Sequence, residues 1–390
     1  MQIPISKPYF DSQDEQNLIK PLESGWVVQG PFVKEFENLF ASFARVPFAV
    51  ACSNCTTALH LGLRALKIGA GAHVVVPSFS YIASANAVEY TGATPVFCDI
   101  DLRTFNLDTD SLQNILESQK IDAIMPVHLF GLCANMPRIL ELARHYDVRI
   151  IEDAACGFDA KIGEQHSGSF GDCGCFSFHP RKVISTGEGG MLITKSATLA
   201  DLARSLRDHG ASTSDLERHK TGGSLLPNFD ILGYNYRLTD LQGALGVSQM
   251  QKAAFIMERR RAIANTYFAA LADHPLLLAP MIPEGYTHGF QSFVCLFGGA
   301  QALEARTLAQ IDSLNAQRNA CMQKLEQKGI ATRQGTHAVH TLGFYRNKYG
   351  LKSEDCLKSY AADRLSISLP LYASMSESEL DYVITNLRAL

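Results

Sequence analysis

No stretch of this sequence has enough consecutive apolar residues to cross a membrane, and its opening, MQIPISKPYF, has neither a basic segment nor an apolar one. A soluble cytoplasmic protein is expected. Charge of one sign is scarce too: the net charge is −4 and only 19% of residues are charged. The densest basic run, ERRR at residues 258–261, lies in a helical pattern without interleaved aromatics, which argues against a nucleic-acid partner. That run reads as a solvated helix face. The ten cysteines form no disulfide framework. Many fall inside apolar runs, where a free thiol packs as a small hydrophobe, and the usage suits a reducing compartment. Cys52 and Cys55 make a CxxC, but no second pair stands at zinc-site spacing, so neither a redox nor a metal role is expected. Internal repeats and low-complexity segments are missing as well.

What is present is a chain of 390 residues, 46% hydrophobic, long enough for a full core and two domains. From residue 73 to 153 the runs HVVVP, TPVFCDI, DAIMPVHLFG and VRIIED alternate with the helical patterns IASANAVEY, DSLQNILESQ and MPRILELARHY. Strand-length apolar runs separated by helices predict parallel strands with both faces covered, an α/β fold. In such a sheet ligands gather beyond the carboxyl ends of the strands. Tyr81, Asp153 and Ser177 all follow or close a strand, so the pattern brings them to one rim. His128 also follows a strand and is read as structural. His337 and His340, three apart, have no acidic or thiol partner nearby and are not expected to bind a metal.

Other segments have local readings. After the strand at residues 48–52, SNCTT opens a helix with Leu59, Leu63 and Leu66 on one face. Its free amides and positive dipole end, with the hydroxyls of Thr56 and Thr57, suit a phosphate, although Ser53 and Asn54 are also ordinary caps. TGEGG at residues 186–190 reads as a tight turn into the strand MLIT, Trp26 as a packing residue, and residues 211–230 as an exposed loop. Helical periodicity runs from Leu238 to about Leu271, and the domain boundary is expected inside it, near residue 250.

Residues 151–190 carry the most specific signal. Asp153 ends an apolar strand, and Lys182 stands just past a second one. A lysine amine forms a Schiff base with the aldehyde of pyridoxal 5'-phosphate (PLP), and a carboxylate facing the pyridine nitrogen keeps it protonated. Taken alone, the lysine also reads as a loop residue and the acid as a cap or ion-pair partner.

The whole phrase, EDAA followed by GD, FSF, Lys182 and TGEGG, resembles the nucleotide-sugar aminotransferases of the DegT/StrS type, members of the fold-type I PLP enzymes. The resemblance extends over nearly the whole chain, with segments at 53–59, 77–88, 152–190 and 233–246 in family order. It implies a mostly parallel sheet sandwiched by helices in a large domain, residues 1–250 with the N-terminal segment, and a smaller C-terminal α+β domain, residues 251–390. Lys182 is then the Schiff-base lysine and Asp153 the pyridine-nitrogen partner. Tyr81 stacks on the ring, and Thr56, Thr57 and Ser177 hold the phosphate together with Asn235 of the neighbouring subunit. Cys156 stands where the family usually has glutamine, and Cys55 where it usually has glycine. The implied protein is a homodimer with shared sites, expected to move an amino group from L-glutamate to a keto sugar, a nucleotide-linked one, for sugar or polysaccharide biosynthesis. Three alternatives remain open. They are a sugar dehydratase of the same family, which usually has histidine in place of Lys182, an aminotransferase of free keto-sugar acids, and a non-catalytic sensor or scaffold.

Overall fold

The computed structural model describes residues 1–213, 216 and 226–390; most of the expected exposed loop at 211–230 lies outside the described residues. Seven strands build the large sheet: β1 (Phe48–Cys52), β2 (His73–Pro77), β3 (Thr94–Cys98), β4 (Ala123–Ile124), β5 (Arg149–Asp153), β6 (Cys173–Ser177) and β7 (Gly190–Thr194). Their order is β1-β7-β6-β5-β4-β2-β3. Only β7 runs against its two neighbours; the other pairs are parallel. The crossover helices are Cys55–Ala65, Ala83–Tyr90, Thr109–Ser118 and Met136–Tyr146. β4 is shorter than the apolar run DAIMPVHLFG suggests. Pro126 lacks an N–H to continue the ladder, which resumes only as a bridge from Val127 to Asp153.

Side chains alternate across the sheet with period two, as strand geometry requires. Val74, Val76 and Ile151 pack into a core shared with the helix Cys55–Ala65. Val75, Ile124 and Ile150 face the opposite way, toward the helices Thr109–Ser118 and Met136–Tyr146. A further cluster on that side joins Phe36 and Phe40 to Phe176, Met191 and Ile193. Both faces are therefore covered, and full burial of each such side chain contributes on the order of 1.5–3 kcal/mol.

The helical pattern from Leu238 to Leu271 is two helices, Asp240–Gln251 and Ala253–Leu271, broken at Lys252. No glycine or proline marks the break. Instead the Lys252 amine is drawn to Asp11 Oδ1 at 2.5 Å and Asp14 Oδ2 at 2.7 Å, both at the start of the first helix, Ser12–Ser24. Beyond it, Leu277–Leu278, Phe293–Phe297 and Ser366–Leu369 form a three-stranded antiparallel sheet. Its core joins Tyr267, Phe293, Leu325 and Val383 with Ile3 from the N-terminus.

The ERRR run is not the solvated face expected of it. Arg260 is 4% exposed and donates to the carbonyls of Phe290 and Gln291 at 2.9 and 2.7 Å. Burial brings its pKa down to about 10. Arg259 donates to the carbonyls of Ala373 and Met375, and Arg261 pairs with Asp159. These arginines tie the helix Ala253–Leu271 to neighbouring segments, a use that helical periodicity does not disclose.

Candidate active site

Asp153 and Glu152 are adjacent in sequence and face opposite sides of β5. The Glu152 carboxylate, fully buried, accepts from the amides of Gly168, Phe170 and Gly171 and meets His128 Nε2 at 2.7 Å. His128 Nδ1 in turn accepts from the amide of Ala134. His128 is structural, as its isolation in the sequence suggests. Asp153 faces the rim. Its Oδ1 accepts from the amide of Ala155 at 3.0 Å, and its Oδ2 from the Ser84 hydroxyl at 2.7 Å. Ser80 lies 2.9 Å from the Ser84 hydroxyl, one helical turn away in sequence. Ser80 and Ser84 were not singled out by the sequence; their four-residue spacing in SYIAS is the available signal.

Lys182 follows β6 in a turn closed by its own amide donating to the His179 carbonyl. The buried side chains of Val183 and Ile184 anchor the next residues. The Lys182 amine donates to Cys156 Sγ at 3.1 Å. Burial pulls its pKa down, but Cys156, then Cys55 and Asp153, push the other way, and the net direction is upward. The same four groups act on one another from the Cys55 side. Burial and then the charge of Asp153 hold the Cys55 thiol well above its usual range, while Lys182 opposes them. Cys52 is pushed up to about 11 by burial. Neither thiol of the CxxC therefore supplies a thiolate near neutral pH.

The turn before the helix Cys55–Ala65 combines both readings that its sequence left open. Asn54 is the cap: its side chain accepts from the Thr57 amide at 2.9 Å, and Thr57 Oγ1 accepts from the Asn54 amide. This leaves the amides of Cys55 and Thr56 without a protein acceptor among the described residues, at the positive end of the helix. The register Cys52–Gly190–Ser177 lines the same edge of the sheet. Gly190 packs so closely on the Asn54–Cys55 peptide that any side chain there would collide with it.

Tyr81 is 67% exposed and lies beside Ser80, its carbonyl accepting from the Ser84 amide. Asn235 is exposed, and its backbone bridges to Asp208. The next residue, Tyr236, accepts from the Ser53 amide at 2.8 Å, so the Asn235 segment is docked on this chain's own turn. Trp26 donates through Nε1 to the Val28 carbonyl, and its ring closes over Gly30. His340 is buried between the Ser78 hydroxyl and the Ser353 carbonyl, whereas His337 is exposed. Among the described residues no group of three His, Cys, Asp or Glu side chains is arranged to hold a metal. A cavity of about 10 Å³ between Phe105, Phe130, Met281 and His288 includes none of the rim residues.

A mostly parallel sheet therefore carries an acid, an amine and a helix N-terminus with two unclaimed amides along one rim. The comparisons are specific. A model of the DegT/DnrJ/EryC1/StrS aminotransferase family matches residues 8–388. GDP-perosamine synthase of Caulobacter vibrioides is 35% identical over 392 residues, 99% of this chain and 97% of that one. The spore coat polysaccharide biosynthesis protein SpsC of Bacillus subtilis is 34% identical over 386 residues, covering 99% and 96%. Among solved structures, Spr1654 of Streptococcus pneumoniae in its PMP form superposes with a TM-score of 0.89 at 27% identity, covering 100% of this chain and 98% of that one. Its PLP form gives 0.88 at the same identity and coverage.

The chain belongs to the DegT/DnrJ/EryC1/StrS aminotransferase family. It is a PLP-dependent sugar aminotransferase. The residues present fit that cofactor. Two unclaimed amides sit at a helix N-terminus, Gly190 holds the backbone close, and a carboxylate and an amine act on each other's charge nearby.

Proposed function

We propose that Lys182 carries the cofactor and moves the proton, that Asp153 holds the ring nitrogen, and that Tyr81 covers the ring. In this reading Thr56, Thr57 and Ser177 hold the phosphate together with Asn235 of the partner subunit. The protein is then a cytoplasmic homodimer with a large domain at residues 1–250 and a smaller one at 251–390. When bound, the cofactor supplies an electron sink for the carbanion formed at the substrate carbon. Asp153, fixed by Ser84 and the Ala155 amide, would be the carboxylate that meets the ring nitrogen. Lys182, once displaced by the donor amine, would be the base that takes the proton from the donor carbon and the acid that returns it. It reverses these moves when the sugar accepts the amino group.

L-glutamate is the donor and a nucleotide-linked keto sugar the acceptor in this reading. The name of the Caulobacter vibrioides relative, which specifies a GDP-linked amino sugar, supports that acceptor class. The name of the Bacillus subtilis relative supports a use in polysaccharide synthesis.

The observation that carries the proposal is the Lys182 amine, 3.1 Å from Cys156 Sγ and within reach of the Asp153 charge. Borohydride reduction of the purified protein should abolish its visible absorbance and label Lys182. Lys182→Ala should fold normally yet lose at least about 10³-fold in turnover, on the order of the contribution of a positioned acid–base group. A screen of keto sugars with glutamate, followed by mass spectrometry of the products, identifies the acceptor. Labelling of a different lysine, or near-normal turnover by Lys182→Ala, would overturn the reading.

A further inference from the structure

We propose that Cys156 is an oxidation site at which the Lys182 amine captures the peroxide-oxidised sulfur as a reversible nitrogen–sulfur link, switching the enzyme off; this rests on Lys182 being the reactive amine. Nine of the ten cysteines are buried, and Cys156 alone is partly open to solvent. Its Sγ accepts from Lys182 Nζ at 3.1 Å. This chain therefore sets its one reachable thiol against its reactive amine.

Both side chains stand on fixed turns. The Gly157 amide donates to the Ala154 carbonyl at 2.8 Å, and the Gly157 carbonyl accepts from the buried Ser167 hydroxyl at 2.6 Å, which closes the turn bearing Cys156. The Lys182 amide donates to the His179 carbonyl at 2.8 Å, and the Arg181 carbonyl accepts from Gln291 Nε2 at 3.0 Å. Two separate backbone anchors thus hold sulfur and nitrogen face to face. The flexible lysine stem closes the remaining gap by rotation.

A peroxide oxidises the thiolate, and an ammonium within hydrogen-bond reach is the partner that a thiolate needs. The sulfur attacks hydrogen peroxide, giving it two electrons: an S–O bond forms and the O–O bond breaks. The second oxygen leaves as water with a proton from the Lys182 ammonium, so a sulfenic acid now faces a neutral amine. The nitrogen attacks the sulfur, the S–O bond breaks, and the oxygen leaves as a second water with a proton shed by nitrogen. The product is a sulfenamide. Burial lowers the pKa of the Lys182 amine, and Cys156 is the largest influence raising it. Oxidation to an uncharged sulfenic acid removes that influence and favours the nucleophilic amine. The Cys55 thiol, held well above its usual range by burial and by Asp153, is a poor competitor for the sulfenic acid. A thiol reductant reopens the link: it bonds to the sulfur, nitrogen leaves with the proton as a free amine, and a second thiol releases Cys156 as the reductant's disulfide forms. The amine is available only while the cofactor is not joined to it. The switch therefore acts on enzyme that has taken an amino group and met no acceptor.

The test treats two preparations of the protein with hydrogen peroxide, one loaded with PLP and one with pyridoxamine 5'-phosphate, and reads intact mass and tryptic peptides. In the pyridoxamine form the chain should lose about 2 Da, and the peptides carrying Cys156 and Lys182 should come off joined, a link that dithiothreitol reverses. In the PLP form the joined product should be at least about tenfold scarcer, because the cofactor engages the amine. In Lys182→Ala the sulfenic acid meets no amine; it should be trapped by dimedone or go on to sulfinic acid, a gain of about 32 Da. Cys156→Gln should show neither change, and Cys156→Ser serves if that variant does not fold. A wild-type Cys156 that stays reduced in the pyridoxamine form, joins another cysteine, or goes to sulfinic acid beside an unlinked Lys182 overturns the proposal. If borohydride labels a different lysine, the functional reading fails instead. Lys182 is then free in both preparations, and joined peptides in either still decide whether its amine captures the sulfur.

Discussion

Asp153 and Glu152 share one peptide bond and point into different worlds: Glu152 accepts three backbone amides and faces His128 in the core, whereas Asp153 meets one amide and one hydroxyl at the rim. The pleat of β5 separates a structural carboxylate from an available one. The two substitutions should therefore separate stability from chemistry.

Glu152→Gln places an amide N–H₂ among three N–H donors, so at least one buried donor loses its acceptor. The cost should be about 3 kcal/mol or more in urea unfolding, the range for breaking a buried charged network. Asp153→Asn should unfold within about 1 kcal/mol of the wild type, because an amide oxygen still accepts at this site. It should nonetheless lose most turnover while retaining some bound cofactor, since a neutral amide cannot stabilise a protonated pyridine nitrogen. Full activity with normal cofactor absorbance in Asp153→Asn would make Asp153 merely structural.

Acid should weaken the fold through histidines held neutral. Burial lowers the pKa of His288 to about 3. Its Nδ1 accepts from the Phe290 amide at 2.8 Å, a bond that only the neutral ring makes in this way. His60 and His166 are likewise lowered to about 4 by burial. The unfolded chain takes up protons near the ordinary histidine pKa of about 6.5, and the folded chain does not until lower pH. The unfolded state thus binds more protons between those values, so stability is intact above about pH 6.5 and falls as pH drops toward 4. The urea midpoint should decrease from pH 7 to pH 5, and His288→Asn should make that decrease shallower by the share of one group. An equal slope in the variant would mean that His288 is not held neutral.

What the sequence disclosed follows the range of the forces involved. Strand and helix alternation is local, so the parallel sheet and the rim bearing Asp153 and Ser177 were legible from residues 73–177. Lys182 was legible because its turn is continuous with β6. The break at Lys252 was not, because Asp11 and Asp14, some 240 positions earlier, attract the amine there. Arg260 was misread for a related reason: its partners are carbonyls of the segment at Phe290, and a carbonyl leaves no mark in a residue pattern. Asn54 was foreseen as one of two possible caps, and the structure chooses it through the capping box with Thr57.

Sharing of the site between subunits has a sharp genetic test. The backbone around Asn235 is docked on its own chain's turn before the helix Cys55–Ala65 through Tyr236 and Ser53, yet Asn235 remains exposed. In the shared-site proposal, this exposed residue serves the neighbouring copy. Asn235→Asp should be inactive if Asn235 contacts the phosphate, because the new charge repels it. Lys182→Ala should be inactive in its own right. When the two variants are co-expressed with distinct tags, random pairing makes about half the dimers mixed. If sites are shared, each mixed dimer has one site with both lesions and one with neither, and total activity recovers to about a quarter of wild type. If Asn235 serves its own chain, every site in the mixed dimer carries one lesion and no activity returns. Sedimentation of the doubly tagged fraction establishes that the species assayed is a dimer, and a fully active monomer at high dilution would exclude a shared site altogether.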